Sequence, residues 1–173
     1  MNPRRTFLTG MPGSGKSTTG KLISREWGID FIDLDDQIEA ACGMHVTQIF
    51  SEKGEDYFRR KEAEVLRQVV VRYPTSVIAC GGGTPCFYNN IEVMQTSGAI
   101  IYIEVDPAEI FKRLEKEGKE KRPLLKEHSG EELIKLLSDK LKNRVPYYER
   151  ARHIIAATGK SPEMVAEEIL RSF

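Results

Sequence analysis

A glycine-rich segment near the start of the chain, GMPGSGKS at Gly10–Ser17, sets the tightest limit on its fold. The segment matches the pattern G-x-x-x-x-G-K-[ST] in full. An apolar strand pattern, Thr6–Thr9, precedes it, and a helical pattern from Lys16 to about Trp27 follows it. A strand, this loop and a helix in that order are the context in which the pattern has physical meaning. The order predicts the start of an α/β domain.

The residue types of this loop suit the binding of a nucleoside triphosphate. Glycines let the backbone curl with its N–H groups directed at phosphate oxygens, and the following helix presents its positive end to them. Lys16 can reach the β- and γ-phosphates, and the hydroxyl of Ser17 can ligate Mg²⁺. The predicted nucleotide-binding residues of the loop are Gly13, Ser14, Gly15, Lys16, Ser17 and Thr18. The loop alone leaves the reaction open, because kinases, GTPase switches and motor ATPases share it.

Apolar strand patterns alternate with helical patterns along the rest of the chain. Further strands are predicted at Phe31–Ile32, Ser76–Ala79, Ala99–Val105 and His153–Ala157. Helices are predicted at Leu34–Cys42, Glu55–Tyr73, Pro107–Leu114, from Glu131 to about Tyr147, and from Ser161 onward. This alternation favours a three-layer αβα fold of the P-loop NTPase type, with a five-stranded parallel sheet and helices on both faces. The 173 residues fit a single domain over 1–173.

Composition narrows the possible partners. Lys plus Arg and Asp plus Glu each number 26, so the formal net charge is zero and general nucleic-acid binding is not expected. No apolar run reaches the roughly 20 residues that span a bilayer, and no signal-peptide pattern is present. The three cysteines form no C-x-x-C pair, so a zinc ribbon or a thioredoxin-like dithiol is not expected. Their odd, sparse count suits a reducing compartment. We therefore expect a cytoplasmic protein without membrane contact, acting as a monomer.

Polar residues follow two of the predicted strands at the edge where the loop should lie. Asp33, Asp35 and Asp36 follow the second strand, where carboxylates can hold Mg²⁺ through water or accept a proton from an attacking hydroxyl. The alternative, a helix N-cap with acidic first-turn residues, is favoured for Asp36. Gly81–Gly83 follow the third strand, where bare backbone allows a ligand to approach closely, although a permissive turn would use the same residues.

Two further segments carry arginines of possible function. Arg59 and Glu62 are three residues apart and share a helix face, so that Glu62 can orient the guanidinium toward a substrate carboxylate. An exposed surface ion pair is the simpler explanation. The stretch Glu115–Ser129 is rich in Lys and Glu and holds Arg122 beside Pro123. A solvated loop and a mobile lid explain it equally well.

Taken in order, these motifs resemble those of the shikimate kinases over nearly the whole chain. The residues that carry the resemblance are Gly10–Ser17, Asp33-x-Asp35, Ile49-Phe50, Gly54-Glu55, Phe58-Arg59, Glu62, Gly81–Gly83, Arg122-Pro123-Leu124-Leu125 and Arg144-x-Pro146-x-Tyr148. The resemblance implies phosphorylation of the 3-hydroxyl of shikimate by ATP, with Mg²⁺ as cofactor. It also implies a lid at about 115–129 and a substrate-binding region at about 34–62.

The same resemblance implies a role for each matching residue. Asp35 would bind the shikimate hydroxyls as candidate base, and Lys16 and Arg122 would be catalytic, with Arg122 also closing over the phosphates of ATP. Ser17, and Asp33 through water, would hold Mg²⁺. The shikimate contacts would come from Asp35, Arg59, Gly82, Gly83 and Arg144.

One position departs from the family pattern. An arginine seven residues before the lid arginine stacks on adenine in several members, and this chain has Glu115 there. Arg113 or Lys116, against Thr158–Pro162, are the alternatives for covering the base.

Two other functions stay open at this point: a related kinase for gluconate or a nucleoside monophosphate, and a nucleotide-dependent switch without a small substrate.

Overall fold

A computed structural model describes residues 5–117 and 130–173 of the chain. Its centre is a five-stranded sheet in the order β2-β3-β1-β4-β5, and every pairing between neighbours is parallel. The strands are β1 (Arg5–Thr9), β2 (Asp30–Asp33), β3 (Ser76–Ala79), β4 (Ala99–Glu104) and β5 (His153–Ala156). The predicted strand order along the chain and the parallel sheet are confirmed.

Seven α-helices and one 3₁₀ turn complete the part of the chain that the structure describes. The helices are α1 (Lys16–Trp27), α2 (Leu34–Cys42), α3 (Val46–Arg72), α4 (Asn90–Ser97), α5 (Pro107–Glu117), α6 (Gly130–Tyr148) and α7 (Pro162–Arg171). The 3₁₀ turn is Thr84–Cys86. Helix α4 was not predicted, since it has only eight residues and buries few apolar side chains.

The long helix α3 begins nine residues before the predicted start at Glu55. It is kinked at Gly54, whose φ of 81° and ψ of 168° lie outside the helical region. Only glycine adopts this conformation readily. Gly54 therefore divides α3 into a first part, Val46 to Lys53, and a second part that matches the predicted helix and carries Arg59 and Glu62.

The sheet separates two apolar clusters, because successive side chains of a strand point to opposite faces. Leu8 and Ile101 belong to the cluster shared with α1, α5, α6 and α7, whereas Phe7 and Ile100 belong to the one shared with α2, α3 and α4. Burial on both faces explains why β4, with the sequence AIIYIE, is a nearly continuous apolar run. The three-layer αβα architecture is confirmed.

The strand register brings three loops to one edge of the sheet. Leu8 of β1 lies opposite Ala79 of β3, which in turn lies opposite Asp33 of β2. The phosphate loop, the Asp33–Asp35 segment and the triple glycine therefore emerge side by side at the carboxyl ends of their strands. In open α/β sheets this edge is where ligands bind.

The predicted lid is only partly within the described residues. Glu115 to Glu117 belong to helix α5, which extends three residues beyond its predicted end at Leu114. The remainder of the predicted lid, including Arg122, lies outside the described residues. None of the helices in residues 5–117 and 130–173 is long and apolar enough to cross a membrane.

Candidate active site

The phosphate loop is held by the ammonium group of its own lysine. Gly10, Gly13 and Gly15 have φ values of 140°, 81° and 93°. A residue with a side chain would be strained in these conformations. Lys16 is buried, and its Nζ donates to the carbonyl oxygens of Gly10 at 3.0 Å and Met11 at 2.9 Å. Burial lowers the pKa of Lys16 to about 8, with nearby acidic groups opposing the shift. The side chain thus keeps its charge at neutral pH.

Ser17 and Asp33 meet across the gap between α1 and β2. The hydroxyl of Ser17 donates to Oδ2 of Asp33 at 2.7 Å, while Oδ1 of Asp33 accepts from the backbone N–H of Asp35 at 3.1 Å. Asp33 is therefore the N-cap of α2 and also the neighbour of the phosphate loop. A hydroxyl and a carboxylate side by side are hard oxygen ligands of the kind that Mg²⁺ prefers, so these two residues fit that ion.

Asp35 lies in the first turn of α2, close enough to Lys16 of the loop and to Glu62 to interact with their charges. Burial raises the pKa of its carboxyl to about 6, and repulsion from Asp33 and Glu62 adds to the shift, while Lys16 opposes it. The carboxylate is mostly ionised at neutral pH and can then accept a proton. Asp36 is exposed on the same turn, as expected for a residue that serves only the helix N-terminus.

The Arg59–Glu62 pair is buried, so the simpler interpretation as an exposed surface pair was wrong. Nη1 of Arg59 donates to Oε2 of Glu62 at 2.9 Å, and the side chains are 9% and 0% exposed. Nε and Nη2 of Arg59 both donate to Oε1 of Glu55 at 3.1 Å. The ring centroid of Phe87 lies 4.4 Å from Cζ of Arg59. Three neighbours thus fix the plane of this guanidinium.

The triple glycine leaves room for three functional side chains. A Cβ atom added to Gly83 would lie 2.5 Å from Nη2 of Arg59, and one added to Gly82 would lie 2.8 Å from Nη1 of Arg144. At Gly81 it would lie 3.2 Å from Oδ1 of Asp35. The absence of side chains at these glycines therefore lets Arg59, Arg144 and Asp35 approach the backbone closely. A permissive turn, the alternative expectation, would not require this.

Arg144 and Arg59 line one open pocket of about 330 Å³. The residues around it are Glu55, Arg59, Cys86, Phe87, Lys140, Asn143, Arg144 and Tyr147. Tyr148, one turn after Arg144, is fully buried, and its hydroxyl donates to the carbonyl oxygen of Gly82 at 2.6 Å. Two guanidinium groups facing one small pocket form a site for an anionic ligand such as a carboxylate.

A second pocket, of about 590 Å³, opens from the phosphate loop toward α5 and the start of α7. Its lining combines Gly13 and Gly15–Thr18 of the loop with Glu109, Arg113, Lys116 and residues 159–162. Arg113 donates to Oε1 of Glu109 and to the carbonyl oxygens of Ser14 and Ala157 at 3.1–3.3 Å. This pocket therefore joins the phosphate loop to charged side chains of α5.

Comparison with known proteins identifies the family. The family model for shikimate kinase matches residues 12–173. A shikimate kinase of Phocaeicola vulgatus is 42% identical over 153 residues, which cover 88% of this chain and 86% of that protein. The chain belongs to the shikimate kinase family.

Solved structures of shikimate kinases have the same fold. The enzyme from Bacteroides thetaiotaomicron superposes with a TM-score of 0.90 at 35% identity, covering 99% of this chain and 98% of that one. The enzyme from Acinetobacter baumannii, solved in complex with shikimate, gives a TM-score of 0.85 at 32% identity and covers 98% and 92% of the two chains.

The structure brings most of the predicted site residues of this shikimate kinase family member to one edge of the sheet. The loop residues Gly13–Thr18 line the larger pocket, except Ser14, whose carbonyl contacts Arg113. Arg59 and Arg144 line the smaller pocket, and Gly83 and Gly82 lie against them. Asp35 lies beside Gly81, and Asp33 is hydrogen-bonded to Ser17. The exception is Arg122, whose position cannot be compared because it lies outside the described residues.

On helix α5, Arg113 lines the larger pocket and Glu115 does not. The two residues are two apart on α5, so their side chains point about 200° apart around the helix. The position seven residues before Arg122 therefore faces away from this pocket. Thr84 also contacts a site residue, Glu62, and no local sequence signal distinguishes Thr84 from ordinary core residues.

Proposed function

We propose that this member of the shikimate kinase family transfers the γ-phosphoryl group of ATP to the 3-hydroxyl of shikimate, giving shikimate 3-phosphate and ADP. The reaction belongs to the biosynthesis of chorismate and the aromatic amino acids. The observation that carries the proposal is a pair of pockets, one built on the phosphate loop and one on two arginines, with Lys16 of the first close enough to Asp35 and to Arg144 of the second to interact with their charges. A donor and an anionic acceptor can meet there.

On the donor side, the backbone N–H groups of the loop and the start of α1 bind the phosphates. Lys16 is now paired with carbonyl oxygens of its own loop. Phosphate oxygens are better acceptors for an ammonium group than carbonyls, so ATP draws Lys16 toward the β- and γ-phosphates. Arg113 and Lys116 cover the adenine against residues 159–162. Arg122 completes this side by stabilising charge on the transferring group.

Ser17 and Asp33 would hold the Mg²⁺ ion, Asp33 through water. The chemistry that Mg²⁺ would supply there is positive charge to offset the negative charge that develops on the phosphate oxygens. To act as a ligand, Ser17 would turn its hydroxyl proton away from Asp33, because a ligating oxygen offers its lone pair to the metal. The Ser17–Asp33 hydrogen bond is therefore the contact that would change on metal binding.

On the acceptor side, Arg59 and Arg144 bind the shikimate carboxylate and Gly82 and Gly83 contact the ring through their backbone. Asp35 hydrogen-bonds the hydroxyls and orients the 3-hydroxyl toward the γ-phosphate. With a pKa near 6, its carboxylate is available at neutral pH to take the proton from that hydroxyl. Binding the carboxylate at one end of the substrate fixes the reacting hydroxyl at the other.

A coupled assay of ADP release tests the proposal, with shikimate, gluconate and nucleoside monophosphates as competing acceptors. Of these acceptors, we expect only shikimate to support ADP release. Arg59→Ala and Arg144→Ala should each raise KM for shikimate by about 10²-fold and leave KM for ATP within about twofold. Arg150→Ala, which removes an exposed arginine paired with Glu92, is the matched control. Unchanged shikimate affinity in both pocket variants would refute the two-arginine site.

The cellular setting of the reaction is part of the same proposal. ATP and the shikimate pathway intermediates are small cytoplasmic molecules, so we propose that the protein acts in the cytoplasm. A monomer suffices because both pockets are built by one chain. Sedimentation of the active protein would test the monomeric state.

A further inference from the structure

Glu62, which holds Arg59, is itself held by a residue outside the family motifs. Glu62 is fully buried, and each of its two carboxylate oxygens has a separate donor. Oε2 accepts from Nη1 of Arg59 at 2.9 Å, and Oε1 accepts from the hydroxyl of Thr84 at 2.6 Å. A buried carboxylate oxygen without a donor is strongly unfavourable. The orientation of Glu62 therefore depends on both partners.

Thr84 is fixed on its own side by backbone contacts. It begins the 3₁₀ turn, and its N–H donates to the carbonyl oxygen of Gly81 at 3.1 Å. Its carbonyl oxygen accepts from Nδ2 of Asn90 at 2.9 Å, and Oδ1 of Asn90 accepts from Nη1 of Arg67 at 3.2 Å. Thr84 and Asn90 are both fully buried. The branched side chain of Thr84 also has restricted rotation, so its hydroxyl has a defined position.

The space around this contact is tight. A Cβ atom added to Gly81 would lie 3.1 Å from Oε1 of Glu62 and 3.1 Å from Oγ1 of Thr84. Little volume is left on that side for a water molecule to replace the threonine hydroxyl. If the hydroxyl is removed without removing its volume, Glu62 must turn toward another donor and carry Arg59 with it.

We infer that Thr84 is a positioning residue for substrate binding, which acts through Glu62 to hold Arg59 in the geometry that binds the shikimate carboxylate. The inference rests on the proposed function, because it takes Arg59 as the carboxylate-binding group. Thr84 itself needs no contact with substrate. Its hydroxyl supplies the second donor that keeps the buried carboxylate from rotating.

Thr84→Val tests the inference, because valine keeps the shape of threonine and replaces the hydroxyl by a methyl group. KM for shikimate should rise roughly 10-fold, as expected for the loss of one hydrogen bond to a buried charge, while kcat and KM for ATP stay within about twofold. Thr84→Ser restores the donor and should return KM for shikimate to within about twofold of wild type. A purely structural role would lower thermal stability without this selective rise in KM.

Thr6→Val is the matched control. Thr6 is as fully buried as Thr84, but its hydroxyl has no hydrogen-bond partner among the described residues. This variant should leave KM for shikimate unchanged. If Thr84→Val does not fold, Thr84→Ala replaces it under the same criterion, with Thr84→Ser again as the rescue.

The outcomes separate the inference from the function on which it rests. Wild-type protein without shikimate-dependent ADP release would refute the proposed function. Active wild type with an unchanged KM in Thr84→Val, or with an equal rise in KM for shikimate and ATP, would refute the role of Thr84 alone. A selective rise in KM for shikimate that Thr84→Ser reverses supports it.

Discussion

Replacing Gly83 by alanine adds one methyl group to the wall of the smaller pocket. The backbone of Gly83 has φ −96° and ψ −10°, a conformation that alanine adopts without strain. The added Cβ would nevertheless lie 2.5 Å from Nη2 of Arg59 and 2.7 Å from its Cζ and Nη1. The substitution therefore acts on the guanidinium of Arg59 and leaves the local backbone conformation acceptable.

The size of the effect follows from these distances. Non-bonded heavy atoms are in favourable contact from about 3.5 Å, so the guanidinium must shift by about 1 Å. Its ion pairs with Glu55 and Glu62 and the nearby ring of Phe87 leave it little room to do so intact. A misplacement of about 1 Å at a binding group costs about 10²-fold. We expect kcat/KM for shikimate to fall by this factor, which corresponds to about 2.7 kcal/mol.

Steady-state kinetics with each substrate varied in turn measure this prediction. KM for ATP should stay within about twofold, because Gly83 does not line the nucleotide pocket. Gly28→Ala is the control: Gly28 has φ 66° at the end of α1, and an added Cβ meets no atom within 4 Å. It should lower stability by about 1 kcal/mol and leave kcat/KM unchanged. Equal kcat/KM for wild type and Gly83→Ala would refute the argument from close approach.

Two further predictions concern Asp35 and the adenine end of the site. Asp35→Asn should lower kcat yet stabilise the unliganded protein by about 1–3 kcal/mol at pH 8, because folding raises the pKa of this carboxyl to about 6 and so disfavours its ionised form. The gain should vanish as the pH falls from 6 to below 4, where the carboxyl is protonated in both states; a gain independent of pH in thermal melts would contradict this. Arg113→Ala should raise KM for ATP by about tenfold without changing KM for shikimate, whereas Glu115→Ala should change neither. Similar ATP kinetics for these two variants would exclude Arg113 as the adenine contact.

Local patterns were sufficient for the architecture and for the donor half of the site. A strand buried on both faces is mostly apolar, so β4 was readable as a strand, and the alternation of strand and helix patterns predicted the parallel sheet. The phosphate loop is a contiguous motif whose backbone conformation depends on its own glycines. Helix α4 escaped prediction because its eight residues carry too little periodicity.

The acceptor half needed the tertiary structure. The sequence placed Glu62 within reach of Arg59, since a helix brings residues three apart together, but it did not reveal that the pair is buried or that Thr84 holds Glu62. It also left open whether Arg113 or Lys116 replaces the arginine expected at Glu115. These contacts join residues far apart in the chain, and their geometry is set by the register of the strands and the packing of the helices around them. The sequence by itself determined the phosphate loop and the sheet that carries it, whereas the arrangement of charges facing the second substrate was decided only by the folded chain.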